Sequence, residues 1–209
     1  MSTLRKSPSI VYWVDNNLYL NITNRCSNNC YFCFRKFKIG IKEFNLKLEK
    51  EPTLQEIKNE LQAKINKKNW NEVVFCGFGE PLERLDIVLE ITKWLKKKHI
   101  KVVRVDTNGQ GYLLNNERNV VKELKEAGIN KIRVSLNTHN KITYNEVCNP
   151  KFENAYKKIL EFIQKSIKEN IETEVTAVTI PEVELIKVRE IVEKMGAKFS
   201  TRQYIQFFW

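Results

Sequence analysis

No apolar run in this 209-residue chain approaches the roughly 18 residues that a membrane span needs. Met1 leads into the polar stretch 2–9 with no secretory signal to read, so a cytoplasmic, soluble protein without a membrane partner is expected. Proline- or glycine-rich linkers, internal repeats and low-complexity tracts are also missing, and nothing divides the chain. With 42% hydrophobic residues it can bury one sizeable core, which predicts a single domain over 1–209 with 1–9 as a flexible tail. Glutamine is scarce beside abundant Lys, Glu and Ile, a balance that suits a heat-adapted organism.

Cysteine is scarce too, but its placement is informative. Five is an odd number in a chain longer than the usual stapled domain, which argues against a disulfide framework. Three of the five crowd into Cys26-Ser-Asn-Asn-Cys30-Tyr-Phe-Cys33, directly after an apolar strand-like run. That is the pattern of a metal site. Structural zinc needs a fourth ligand, and Cys76, Cys148, His99 and His139 stand alone, none forming a second close ligand pair. A cubane iron–sulfur cluster is the other reading, since it has four irons and three neighbouring thiolates leave one open to a non-protein ligand. The two remaining cysteines are too few for a second cluster.

The formal net charge of +11 favours anionic partners such as nucleic acid or phosphorylated metabolites. Much of the excess, such as Lys96-Lys97-Lys98 and Lys157-Lys158, falls on helix faces, where a solvated surface accounts for it.

Strand-like runs recur at 18–23, 73–76, 101–106, 131–136, 172–178 and 202–208. Helical stripes lie between them. Leu54, Ile57, Leu61 and Ile65 follow a Thr53/Glu56 capping box. Leu85, Val88, Leu89 and Leu95 mark a second helix, and Val120, Val121 and Leu124 a third, closed by Gly128. Tyr156, Ile159, Leu160, Ile163 and Ile167 form a fourth, and Leu185, Val188, Ile191, Val192 and Met195 a fifth. Alternation of this kind predicts an α/β fold, a partial (β/α)6 TIM-type barrel of parallel strands. Residues 10–14, joined to the first strand by Asp15-Asn16-Asn17, predict an antiparallel N-terminal hairpin. The irregular segment 34–52 reads as an active-site loop.

Ligands of such folds bind where strands end. After the first strand comes the cysteine triplet, and after the second Gly77-Phe78-Gly79-Glu80-Pro81, where two glycines admit a ligand to the backbone and a carboxylate can take an ammonium group. After the third comes Asp106-Thr107-Asn108-Gly109. After the fourth, Ser135 and Asn137 are expected on one face, a hydroxyl beside an amide that suits a ribose. Singly, each of these motifs is weak.

In this order they resemble the radical S-adenosylmethionine (radical SAM) superfamily, over nearly the whole chain. The resemblance implies a [4Fe-4S] cluster on Cys26, Cys30 and Cys33, with S-adenosylmethionine on the open iron. It implies Phe32 beside the adenine, Gly79 and Glu80 on the methionine amine, Ser135 and Asn137 on the ribose, and Ala177 and Val178 packed on the adenine. Tyr204 or Ile205 would add backbone contacts to the base. One departure is Phe78, where many members have a glycine. The approach Asn21-Ile-Thr-Asn-Arg25 and the Asn28-Asn29 pair are most like the short TatD-associated radical SAM proteins.

That resemblance predicts an enzyme that cleaves S-adenosylmethionine reductively to a 5′-deoxyadenosyl radical, with a ferredoxin or flavodoxin as one-electron donor. Its substrate is read as anionic or nucleotide-like. Cys148, in an expected loop 144–150, and His139 are minor candidates for a catalytic role; Cys76 reads as a small buried hydrophobe, and His99 complements a helix C-terminus. The segment Phe34-Arg35-Lys36-Phe37-Lys38 mixes cations with aromatics, as nucleic-acid and phosphate sites do, or lies as an amphipathic strand against the barrel. The competing class is a non-catalytic iron–sulfur or zinc module that binds nucleic acid. An adenosine-facing set at Glu80, Ser135 and Asn137 separates the two, since a binding module has no use for it.

Overall fold

Two chemically different faces on one sheet organise the molecule, described over residues 4–204 in a computed structural model. The chain opens with a hairpin of β1 (Val11–Val14) and β2 (Asn17–Leu20), paired antiparallel around Asp15, which takes the left-handed conformation that short polar residues tolerate. Two short strands follow, β3 (Gly40–Ile41) and β4 (Phe44–Asn45). Helices and strands then alternate as α1 (Leu54–Ile65), β5 (Glu72–Phe75), α2 (Leu85–Lys97), β6 (Val103–Thr107), α3 (Gly111–Leu114), α4 (Val120–Ala127) and β7 (Lys131–Ser135). The chain continues through α5 (Lys141–Cys148), α6 (Ala155–Lys168), β8 (Glu172–Thr179), α7 (Leu185–Lys194) and β9 (Lys198–Gln203).

The large sheet runs β1-β2-β5-β6-β7-β8-β9, and every pair after the hairpin is parallel. Six parallel strands in chain order make the expected partial barrel, with the hairpin closing one edge. Local chemistry fixes the helices. The Thr53 hydroxyl and Glu56 carboxylate form the capping box of α1, the Asn140 side chain accepts from the Thr143 N–H to start α5, and Gly128, at φ +107°, ends α4.

One sheet face carries Leu18, Leu20, Val73, Phe75, Val103, Val105, Ile132, Val134 and Val175, all buried with the helix stripes in one core. Each such side chain contributes about 1.5–3 kcal/mol of burial. Register places charge on the other face: Arg104 pairs with Lys131, Asp106 with Arg133, Arg133 with Glu174, and Thr176 with Ser200 across adjacent strands. The charged face lines the hollow of the half-barrel.

Several expectations need correction. Segment 34–52 is not irregular: it carries a short helical turn at Phe34–Lys36 and the β3–β4 hairpin. There Phe44 and Leu46 form a second small core with Tyr12, because the stretch alternates apolar residues that only a tertiary partner can cover. The expected loop 144–150 is mostly helix; α5 ends at Cys148, and Asn149 is the left-handed cap. The last strand starts at Lys198, four residues before the expected position, since an edge strand exposed to water has no continuous apolar run to mark it. The rest of its expected span, with Ile205, lies outside the described residues. No described helix is long and apolar enough to cross a membrane.

Candidate active site

The cysteine loop leaves β2 through Asn21–Arg25, and the side chains of Asn21 and Asn24 brace it against backbone groups of three other segments. Asn21 donates to the carbonyls of Ser9 (3.1 Å) and Leu46 (2.8 Å) and accepts from the Phe78 N–H (2.9 Å). Asn24 pairs with both backbone groups of Leu48, at 2.7 and 3.1 Å. Segment 34–52 is thus the wall on which the loop is built. Gly77 and Gly79 also give this turn room against the approach to the cysteines. A Cβ at Gly79 would stand 2.3 Å from the Arg25 carbonyl oxygen and 2.6 Å from that of Thr23, and one at Gly77 would meet Asn21. Both glycines let this turn press on the approach to the cysteines, and the Glu80 N–H bonds the Arg25 carbonyl at 2.8 Å.

On the other side the loop leans on the end of α5. The Asn29 N–H bonds the Cys148 carbonyl (3.0 Å) and the Tyr31 N–H that of Val147 (3.2 Å). Behind it is a buried triangle in which Asn28 donates to the Tyr144 hydroxyl (2.9 Å) and Gln110 donates to both, at 2.6 and 3.0 Å. Such networks are costly to leave half-made, so this one pins the loop to the barrel.

All three thiols are free and half-buried. Asn108 Nδ2 lies 3.8 Å from Cys26 Sγ and donates to Ser27 (2.9 Å), and Arg35 Nε donates to Cys33 Sγ at 3.4 Å. Arg35 also donates to the Asn24 carbonyl and stacks 5.7 Å from the Phe78 ring centroid. Burial, then the charge of Glu80, pushes the Cys26 thiol up to about 12. Contact with the Cys148 thiol, then burial, pushes Cys30 up as well. Neutral thiols of this kind become thiolates beside a strong cation. The donor set fits an iron–sulfur group: sulfur only, with N–H donors aimed at two of the three, as cluster sulfurs are commonly solvated. Among the described residues no three His, Cys, Asp or Glu side chains are gathered around one point.

The strand-end residues do not all come together. Glu80, at 3% exposure, accepts from the Asn108 N–H (2.6 Å), the Thr107 hydroxyl (2.7 Å) and the Leu82 N–H (3.0 Å). A carboxylate offers about four acceptor positions, so one remains. Burial raises Glu80 to about 7 against those three bonds. Asn137 has left the strand at φ 65°, so the alternation expected to align it with Ser135 does not hold. Its amide donates to Cys148 Sγ at 3.5 Å, while its buried Oδ1 and the Thr176 hydroxyl lack partners. Ser135 accepts from Arg202 at 2.8 Å. Val178 shares the hollow-facing side of β8 with Thr176, and Ala177, fully buried, alternates to the helix side with Val175. Phe32 is half-buried beside Tyr31 (5.5 Å between centroids), and Tyr204 closes on Tyr31 at 6.4 Å. His139 is turned to Asn140 (2.9 Å) and Glu184 (3.4 Å). Cys76 is half-buried at the end of β5, and its carbonyl accepts from the Tyr12 hydroxyl.

Sequence reasoning missed Asn108, the Cys30–Cys148 contact and the hollow's arginines. Arg104 pairs with Glu72 and with Asp106 (2.8 Å), and Arg133 with Glu174 (2.8 Å). Among the described residues Arg202 pairs with no carboxylate, only with Ser135. A polar cavity of about 290 Å³ opens at the opposite strand ends, lined by Asn17, Asn71 and Glu72 with Lys131 and Arg133, whose charges are met by Glu172 and Glu174.

Comparison with known proteins follows this geometry. The chain is 30% identical over 193 residues to a probable GTP 3′,8-cyclase of Methanocaldococcus jannaschii, covering 90% of this chain and 59% of that one. It is 28% identical over 191 residues to the GTP 3′,8-cyclase of Aliarcobacter butzleri, covering 91% and 54%. The chain thus spans between half and three-fifths of the length of these relatives. Among solved structures, Streptococcus suis SuiB bound to its precursor peptide SuiA matches with a TM-score of 0.70 at 17% identity, over 97% of this chain and 40% of that one. The FeFe-hydrogenase maturase HydG of Carboxydothermus hydrogenoformans matches at 0.64 and 20%, over 91% and 44%. These two likenesses establish the fold. The radical SAM superfamily profile matches residues 20–195, and the chain is an enzyme of that superfamily, with a [4Fe-4S] cluster and S-adenosylmethionine as its cofactors.

Proposed function

We propose that Cys26, Cys30 and Cys33 hold the cluster, that S-adenosylmethionine lies across the ends of β5, β7 and β8, and that the substrate is a purine nucleotide held in the hollow. When bound, the cluster supplies the electron that splits S-adenosylmethionine into methionine and a 5′-deoxyadenosyl radical, which takes a hydrogen from the substrate. The observation that carries this reading is that three free cysteines on one loop sit against the turn at Gly79 and Glu80, whose Glu80 N–H bonds the Arg25 carbonyl beside Cys26. Glu80 offers its fourth acceptor position to the methionine amine, and the unpartnered Asn137 Oδ1 and Thr176 hydroxyl offer theirs to ribose hydroxyls. Phe32 and Val178 border the adenine, with Gly79, Ser135 and Ala177 shaping the backbone around it.

The chain's own part is positioning, worth several orders of magnitude when reacting atoms are held in contact. Arg202, tied only to a hydroxyl, is the hollow's cation best able to meet a phosphate. Two relatives named for acting on GTP support a guanine nucleotide as the first substrate to try. The test is anaerobic turnover of the reconstituted, dithionite-reduced protein with S-adenosylmethionine and uniformly deuterated GTP. Deuterium in 5′-deoxyadenosine supports the nucleotide; 5′-deoxyadenosine without deuterium keeps the radical chemistry and removes the substrate. A loaded, reduced protein that forms none refutes the reading.

A further inference from the structure

The six large apolar side chains that stand exposed among the described residues are not scattered evenly. Phe37 (38%), Ile39 (46%) and Ile41 (37%) fall within five residues, with Phe37 capping the short helical turn, Ile39 in a bend and Ile41 in β3. Lys36, Lys38 and Lys42 lie between and beside them, all exposed. This ridge is not a loose loop. Its hairpin partner buries Phe44 and Leu46 against Tyr12, and the Leu46 and Lys47 N–H groups both bond the Ile39 carbonyl, at 2.7 and 3.2 Å. A rigid apolar strip rimmed by cations is an unusual thing to leave in water.

Its position supplies the reason. One helical turn, Phe34–Lys36, joins the ridge to the candidate ligand Cys33, whose carbonyl accepts from the Lys36 N–H at 3.0 Å. Cys30 stands against the fully buried Cys148 and Cys26 beside the buried Ser27 and Asn108, whereas Cys33 adjoins the ridge through its carbonyl. The Cys33 side is therefore the side of the loop nearest the ridge. We propose that the Phe37–Ile39–Ile41 ridge and its lysines are the docking surface of an acidic one-electron carrier protein. Opposite charge steers the encounter, and the apolar strip holds the partner once it arrives. One electron leaves the carrier's reduced flavin or iron–sulfur centre, which is oxidised, and enters the oxidised cluster, which is reduced; no atom or proton need move. This inference rests on the cluster assignment made above.

The test uses the reconstituted protein, a low-potential bacterial flavodoxin reduced by one electron, and stopped-flow absorbance of the cluster. The double variant Lys38→Glu/Lys42→Glu and Ile39→Ser, none of them a residue assigned to the cofactors, are compared with the parent. The expected result is a second-order reduction rate at least about tenfold lower in the charge variant at low salt, with a flatter salt dependence, and an intermediate loss in Ile39→Ser. Reduction by dithionite, which needs no docking surface, stays unchanged. Equal flavodoxin rates in all three proteins, with dithionite reduction intact, overturn the docking surface and leave the cluster assignment standing. A protein that takes up no iron overturns both.

Discussion

Asn108 ties Glu80 to the cysteine loop: its backbone N–H bonds the Glu80 carboxylate at 2.6 Å while its side chain reaches Ser27 and Cys26. Glu80 is therefore a brace between the ends of β5 and β6 as well as a candidate cofactor contact. Glu80→Ala should cost about 2–4 kcal/mol, because three buried donors lose their acceptor. Iron retention should drop along with S-adenosylmethionine affinity. Chemical denaturation and iron analysis of the same variant check this; unchanged stability with weakened cofactor binding would show a ligand contact alone.

The same carboxylate gives a pH signature. Burial raises it from 4.5 to about 7, so between those values the folded chain keeps a proton that the unfolded chain has released. Stability from this group is full below about pH 4.5 and is lost as the pH rises toward 7. Urea midpoints at several pH values, compared between the parent and Glu80→Gln, should differ in slope across that window and run parallel above it.

Gly79→Ala should disrupt the site without touching a ligand. The added methyl would meet two backbone carbonyls at 2.3 and 2.6 Å, and neither can rotate away. Overpacking of this kind costs about 1–3 kcal/mol. The displaced segment carries Cys26, so reconstituted iron content should fall in step with melting temperature; a variant matching the parent in both would refute the account.

Much of this architecture could be read from the residues and some could not, for physical reasons. The strand–helix alternation was visible because each apolar run or stripe reports a buried face directly. The β3–β4 hairpin was not, because Phe44 and Leu46 are covered by Tyr12 and Trp13 from far away in sequence, and only the fold supplies that cover. The cysteine triplet stood out by its spacing as a candidate ligand set. Asn108 lay in a strand-end motif already singled out, but nothing local distinguishes an asparagine that reaches a sulfur from one in a turn. Alternation failed at Asn137 because its left-handed backbone breaks the period.

Phe44→Ala measures how far that hairpin supports the site. Phe44 is fully buried and meets Trp13 edge-on at 4.7 Å. The truncation should cost about 3–5 kcal/mol. Since Asn21 and Asn24 hang from the carbonyls of Leu46 and Leu48, cofactor affinity measured by calorimetry should fall as well.

The remaining cysteines offer a clean contrast. Alanine at Cys26, Cys30 or Cys33 should abolish stable iron loading, whereas Cys76→Ala should keep about four irons per chain. Anaerobic iron and sulfide assays decide this, and loss of iron from Cys76→Ala would redraw the ligand set.

Among the described residues strand β9 closes the sheet with no partner on its outer side, and its sequence is Lys-Phe-Ser-Thr-Arg-Gln. An open row of backbone donors and acceptors invites another chain to add a strand, which is how native proteins begin to stick to one another. Lys198, Thr201, Arg202 and Gln203 stand exposed along that edge. Like charges on two such edges repel, so the polarity that hid this strand from a search for apolar runs also guards the protein against self-association at high concentration.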